Sequence, residues 1–213
     1  MPTIPLNGER IRLFDRWAAS YDESVTGASF PLAGYDGVLD AIVRLSRVEP
    51  AHRVADLGVG TANLARRIAA SGCTLWGIDF SEEMLERARA KLPTAHLVKA
   101  DLRDGWAEDL PDRVDRIVSA YVFHEFDDSV KLRLLRDLAG HLASKGRIVI
   151  GDVAFPDEKS RYDCHEAWRV AWDEEEHYWA MDSIRVPLED AGFAVAYEQV
   201  SFCGGVLTLR PVG

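Results

Sequence analysis

Short apolar runs alternate along most of this chain with longer stretches whose apolar residues recur at helical spacing. The runs at 53–58 (RVADLG), 74–80 (TLWGIDF), 95–102 (AHLVKADL), 114–121 (VDRIVSAY) and 146–155 (GRIVIGDVAF) predict strands. Between them, 62–71, 81–92 and 129–142 predict helices. Ser81 suits an N-cap, with Glu82 and Glu83 beside the positive end of that helix dipole. Near-continuously apolar strands alternating with helices argue for a parallel sheet covered on both faces.

The last third of the chain reads differently. A long helix is predicted over about 159–180 and another over 184–191, followed by extended runs at 193–202 and 206–209. Only Cys203-Gly204-Gly205 separates those two runs, which suits an antiparallel hairpin and leaves no room for a crossover helix. The expected fold is α/β: a doubly wound, mostly parallel sheet with helices on both faces and a C-terminal antiparallel hairpin.

At roughly 150 residues per domain, a length of 213 predicts one domain over 1–213. Within it, 1–35 reads as a helical lid segment, 50–155 as a cofactor-binding core, and 156–213 as a helical cap and hairpin. The formal charge of −10 disfavours a nucleic-acid partner, because phosphate contacts need a basic surface. Cys73, Cys164 and Cys203 form no CxxC pair and cannot all pair within one chain, which suits a reducing compartment. No run approaches the ~18 apolar residues of a membrane span, and the first residues lack a signal-peptide core. The expectation is a cytoplasmic protein without membrane partners, monomeric or homodimeric.

In an open α/β sheet, ligands bind outside the carboxyl ends of the strands. Gly58 and Gly60 end the first strand and permit a tight turn with close approach of backbone to a ligand. Asp79 ends the second strand 19 residues after Gly60, placed to accept hydrogen bonds from a ribose diol. Asp101 and Leu102 end the third. There a carboxylate can accept from an exocyclic adenine amine, while Leu102 and Phe80 enclose the ring. Each aspartate alone could equally be a turn or cap residue; the ordered set favours one elongated ligand. A dinucleotide loop would carry a third glycine where this chain has Asn63. Asp56, within the strand, would repel a pyrophosphate and welcome an ammonium. Adenosine at one end and an amino acid at the other describe S-adenosyl-L-methionine.

The ordered segments VADLGVGTANLA, WGIDFSEEML, VKADLRD and DRIVSAYVFHEF resemble those of class I S-adenosylmethionine-dependent methyltransferases. FDRWAASYDESVTG together with AYVFHEF is similar, more narrowly, to a small family of uncharacterised bacterial methyltransferases. The resemblance implies a seven-stranded sheet with its last strand reversed, and cofactor contacts at Gly58, Asp79 and Asp101. The wider candidate set is Trp17, Tyr21, Asp56, Gly60, Thr61, Asn63, Phe80, Met84, Leu102 and Tyr121. One departure is Ala62, where the family motif has glycine; alanine tolerates a helical first turn, so a slightly less open loop with no loss of binding is expected.

On the acceptor side, the segment after the fourth strand holds neither an Asn/Asp-Pro-Pro-aromatic tetrad nor a Pro-Cys pair. Both absences point away from nucleobase and glutamine-amide acceptors; the expected partner is a small-molecule methyl acceptor. His124 is the candidate general base, since an imidazole pKa near 6.5 suits proton removal at neutral pH; a capping or packing histidine is the alternative. Glu125 is expected to be solvated. Phe14, Trp17, Ala18 and Tyr21 share one helical face, as core packing, as a lid over the cofactor, or both. Trp168, Trp172 and Trp179 would share another, read as core with an acceptor lid as the alternative. Cys164, His165, the 174–176 glutamate run and His177 fit no zinc spacing, so no metal is expected there. The other function classes are a nicotinamide-dependent oxidoreductase on a similar sheet and a non-catalytic S-adenosylmethionine-binding module.

Overall fold

In the computed structural model, which describes residues 21–25 and 29–212, successive strand residues feed two different apolar layers. In β1 (Arg53–Leu57), Val54 packs into one layer and Ala55 into the other. Ile117 and Val118 divide the same way in β4 (Val114–Ala120), as do Ile148 and Val149 in β5 (Leu142–Phe155). This is the period-two alternation of a strand buried on both faces.

One layer is covered by α2 (Tyr35–Ser46), α3 (Asn63–Ala69) and α4 (Glu82–Lys91), through Val38, Leu39, Ile42, Ile68 and Leu85. The other is covered by α5 (Asp128–Gly140) and α7 (Met181–Asp190), through Leu135, Leu138, Ile184 and Leu188. A four-residue α1 (Tyr21–Ser24) precedes them, and α6 (Glu158–Trp168) lies between β5 and α7.

With β2 (Thr74–Asp79), β3 (His96–Lys99), β7 (Phe193–Gln199) and β8 (Gly204–Pro211), the sheet runs β3-β2-β1-β4-β5-β8-β7. The first five strands are parallel, and β8 is antiparallel to both β5 and β7. An eighth, two-residue strand, β6 (Trp179–Ala180), pairs with the end of β5 off this path. Strand order reverses between β1 and β4, where Leu57 lies beside Ser119. A ligand crevice belongs at that switch point.

The parallel strands and the hairpin agree with the sequence reading, and Ser81 caps α4 by accepting from Met84 N. Three elements differ. The helix expected over 159–180 ends at Trp168, and Trp179 is a strand residue opposite Ala154. Backbone pairing with β5 and a fully covered indole, 1% exposed, outweigh the helical spacing of the tryptophans. Strand β5 begins at Leu142 rather than 146, so α5 stops at Gly140. Helix α2 occupies a stretch the patterning left unassigned. Trp17, with Phe14 and Ala18, lies outside the described residues, as does most of the expected 1–35 lid.

Candidate active site

The end of β1 holds a group that needs explaining. Asp56 is 0% exposed, and among the described residues neither carboxylate oxygen has a hydrogen-bond partner. Burial, seconded by the negative charge of Asp79, pushes its pKa well above the usual carboxylate range. An unsatisfied buried polar group costs about 1–3 kcal/mol, a cost that persists in proteins mainly where function requires the group.

The chain then turns sharply. Gly58 has φ +69, and a Cβ there would stand 2.2 Å from Val122 Cγ2. Gly60 has φ +50 and nothing within 4 Å of the place a Cβ would take, so the loop presents open backbone. Ala62 is also left-handed, at φ 68, which corrects the expected helical first turn. Its amide donates to Val59 O, so the loop keeps the glycine geometry at an alanine's steric cost.

Asp79 ties β2 to this loop, accepting from Gly60 N at 2.9 Å and from Ser81 N at 2.9 Å. A carboxylate offers about four lone-pair sites, and these two bonds take one on each oxygen. Asp101 caps the turn Leu102–Asp104 and is gripped by Arg103 through Nε and Nη2. Burial opposes its charge, but Arg103 prevails and holds its pKa below the usual value. Phe80 and Leu102 are half-buried and Met84 is buried. Thr61 and Asn63 both donate to Asp22 Oδ1, and the Lys91 ammonium donates to Thr61 Oγ1 and Asn63 Oδ1. Their side chains clamp α1 to the loop.

Tyr121, just past β4, has a left-handed φ of 56 and stacks on Tyr35 with centroids 5.3 Å apart. Its hydroxyl is buried without a partner among the described residues. The Tyr21 and Tyr35 hydroxyls are hydrogen-bonded to each other, so three tyrosines line this strand end. Strain of this kind in a non-glycine residue concentrates at functional positions.

His124 occupies the 3-10 turn Phe123–Glu125. Its Nδ1 lies 2.6 Å from Asp152 Oδ1, and its backbone N donates to Asp152 Oδ2 at 3.0 Å. Nε2 faces Glu125 Oε1 at 3.7 Å and Glu176 Oε1 at 3.8 Å. Burial works against a charged ring, but Asp152, joined by Glu176 and Glu125, outweighs it and lifts the His124 pKa to about 9. The ordinary imidazole pKa expected from sequence is therefore corrected: at neutral pH this ring holds its proton. Glu125, expected to be solvated, and Glu176 have side chains only 18% and 16% exposed. The loop carrying Glu176 is fastened by His177 N donating to His124 O, and by Lys131 Nζ donating to His177 O. Phe30, Trp172 and Tyr178 form an aromatic wall beside it, with Trp172 stacked 5.1 Å from Phe30 and Tyr178 6.2 Å from His124.

A family model described as a methyltransferase domain matches residues 54–146, the span from β1 to β5 that carries the glycine loop and the three aspartates. The uncharacterised methyltransferase YrrT of Bacillus subtilis is 32% identical over 205 residues, covering 90% of this chain and 92% of that protein. An uncharacterised methyltransferase of Bacillus licheniformis is likewise 32% identical over 206 residues, covering 90% and 92%. The chain belongs to the YrrT family of bacterial methyltransferases.

The fold of this methyltransferase matches a solved structure described as a DhpI-SAM-HEP complex, with TM-score 0.75 and 18% identity over 99% of this chain and 100% of that one. It also matches the SAH-bound magnesium protoporphyrin IX methyltransferase of Synechocystis, with TM-score 0.69 and 18% identity over 94% and 98%.

Of the sequence-predicted residues, the fold of the methyltransferase brings Asp56, Gly58, Gly60 and Asp79 together at adjoining strand ends. Asp101, Leu102 and Phe80 lie at the next ends out, and Tyr121 with Tyr21 at the end of β4. Thr61 and Asn63 are engaged with α1. The sequence reading missed Asp22, Tyr35, Lys91 and Asp152, and set Glu176 aside within the 174–176 run. Asp152 carried a signal: a charged residue inside an apolar strand, as Asp56 is in β1.

Proposed function

We propose that this methyltransferase moves the methyl group of S-adenosyl-L-methionine to a small-molecule acceptor, releasing S-adenosylhomocysteine. The observation that carries the reading is the buried Asp56 carboxylate, without a partner among the described residues, at the foot of the glycine loop. When bound, S-adenosyl-L-methionine supplies an electrophilic methyl on a sulfonium, and the C–S pair returns to sulfur as the acceptor's lone pair takes the methyl. Asp56 receives the amino-acid ammonium, a charge that restores its ionised form. Gly58 makes the turn against Val122, the open backbone at Gly60 admits the ligand, and Asp79 accepts from the ribose diol while retaining Gly60 N. Asp101 accepts from the adenine amine, with Phe80, Met84 and Leu102 against the ring. Thr61 and Asn63 hold the loop through their bonds to Asp22.

Tyr21 and Tyr121 line the path between donor and acceptor. Orientation and exclusion of water there contribute several kcal/mol, on the order of an intramolecular advantage. His124 meets the acceptor from Nε2 as a hydrogen-bond donor, and acts as a base only after its proton leaves. The aromatic wall of Phe30, Trp172 and Tyr178 suits a small apolar or aromatic acceptor. The charge of −10 weighs against a nucleic acid, and no helix among the described residues is long and apolar enough to cross a membrane. We place the enzyme in the cytoplasm as a monomer or homodimer.

Asp79→Ala tests the site. Calorimetric titration with S-adenosylhomocysteine is expected to show affinity falling roughly tenfold or more, with the far-UV spectrum unchanged. Equal affinity in the variant removes Asp79 from the ribose.

A further inference from the structure

We propose that His124, Glu125 and Glu176 form a binding site for one divalent transition-metal ion. The three donor atoms, His124 Nε2 and one oxygen from each glutamate, lie within 4.8 Å of one another. Ligands on a tetrahedral ion at about 2.0–2.2 Å stand about 3.4 Å apart. Nε2 already lies 3.7 Å from Glu125 Oε1 and 3.8 Å from Glu176 Oε1, so modest side-chain rotations close the set around one centre.

The second observation lies behind the ring. Asp152 is wholly buried and its carboxylate accepts from His124 N, from Val153 N at 2.8 Å, and from the ring at 2.6 Å. The carboxylate accepts, so the ring donates from Nδ1, and an ion that binds displaces the proton from the outward-facing Nε2, which then ligates it in place of donating to the acceptor. A carboxylate that orients a histidine in this way is the usual outer partner of a metal-binding imidazole. Glu176 comes from a loop remote in sequence, yet the bond from His177 N to His124 O fixes its position one residue away.

Three protein ligands leave coordination positions open, the pattern of a site that also binds substrate. Mixed imidazole and carboxylate donors suit manganese, iron, cobalt or zinc better than soft copper(I) or an all-oxygen calcium site. Cys164 and Cys203 are buried in a separate apolar cluster and take no part. The cluster lies at the turn that follows β4. An acceptor oxygen or nitrogen bound there would be held for methylation, a role that rests on the proposed donor site.

Co2+ is the probe, added to the full chain after chelator treatment at neutral pH. One equivalent is expected to bind, with the visible bands of nitrogen and oxygen ligation and no thiolate charge transfer. Glu176→Gln is expected to weaken Co2+ binding roughly tenfold or more, and Asp152→Asn by about 10–100-fold. If Asp152→Asn does not fold, Glu176→Gln, on a loop outside the sheet, decides alone, with its melting curve as the control for folding. No uptake of Co2+ in excess, a thiolate band, or unchanged affinity in Glu176→Gln would each overturn the site. Titration of the same samples with S-adenosylhomocysteine keeps the readings separate, since failure there removes the donor site and leaves the metal result standing.

Discussion

At Asp56 a carboxyl group sits in the core with nothing described to bond it, and Asp79 close enough to oppose its charge. The folded chain therefore holds the Asp56 proton more tightly than the unfolded chain does. A raised native pKa contributes stability that is complete below the unfolded value near 3.9 and is lost as pH climbs toward the native value. Asp56→Asn keeps the shape and removes that loss. Urea unfolding without ligand is expected to find the variant more stable than the native chain at pH 8 and less distinguishable from it at pH 4. The same variant is expected to bind S-adenosylhomocysteine about tenfold or more weakly, because a charged hydrogen bond is worth about 1.5–3 kcal/mol. Adenosine, lacking the amino-acid end, is expected to bind both proteins alike. Much of this site was legible from the residues: two glycines and three aspartates at successive strand ends need only the strand pattern to be placed. Tyr35, Asp152 and Glu176 were not, since each reaches the site from an element far along the chain. The protonated state of His124 follows from those same neighbours, so its ordinary pKa was the only value the sequence could suggest.

Elements whose patterning has a single period were readable, and those shaped by tertiary partners were not. The five parallel strands and the hairpin follow from short apolar runs and the Gly204-Gly205 turn. Helix α2 begins at Gly34 without a capping side chain and contains Gly37, so the usual start signals are missing although Val38, Leu39 and Ile42 have helical spacing. Trp168, Trp172 and Trp179 also recur at helical spacing, yet Trp179 belongs to β6, where Lys131 Nζ lies 4.3 Å from its ring centroid. Trp179→Ala is expected to cost about 3–5 kcal/mol by chemical denaturation, the usual cost of deleting a buried indole. Val170, on the loop between α6 and β6 and fully exposed, is expected to tolerate alanine within about 0.5 kcal/mol. Equal losses at the two positions would contradict the break in the helix.

Across the whole molecule, the sheet order β3-β2-β1-β4-β5-β8-β7 sets Asp56 on β1 and Asp79 on β2 to one side of the switch point, and His124, on the turn after β4, with Asp152 of β5 to the other. Family membership and fold establish a methyltransferase; the donor site is the claim on which the mechanism depends. The most direct test is the melting temperature of the intact chain with S-adenosyl-L-methionine, S-adenosylhomocysteine or NADH, each in large excess. A ligand at about 100 times its dissociation constant adds about 2.7 kcal/mol, which for a chain of this size raises the melting temperature by about 5–10 °C. Stabilisation by the two adenosyl ligands and none by NADH is the predicted result. Stabilisation by NADH, or by neither adenosyl ligand, would contradict the account.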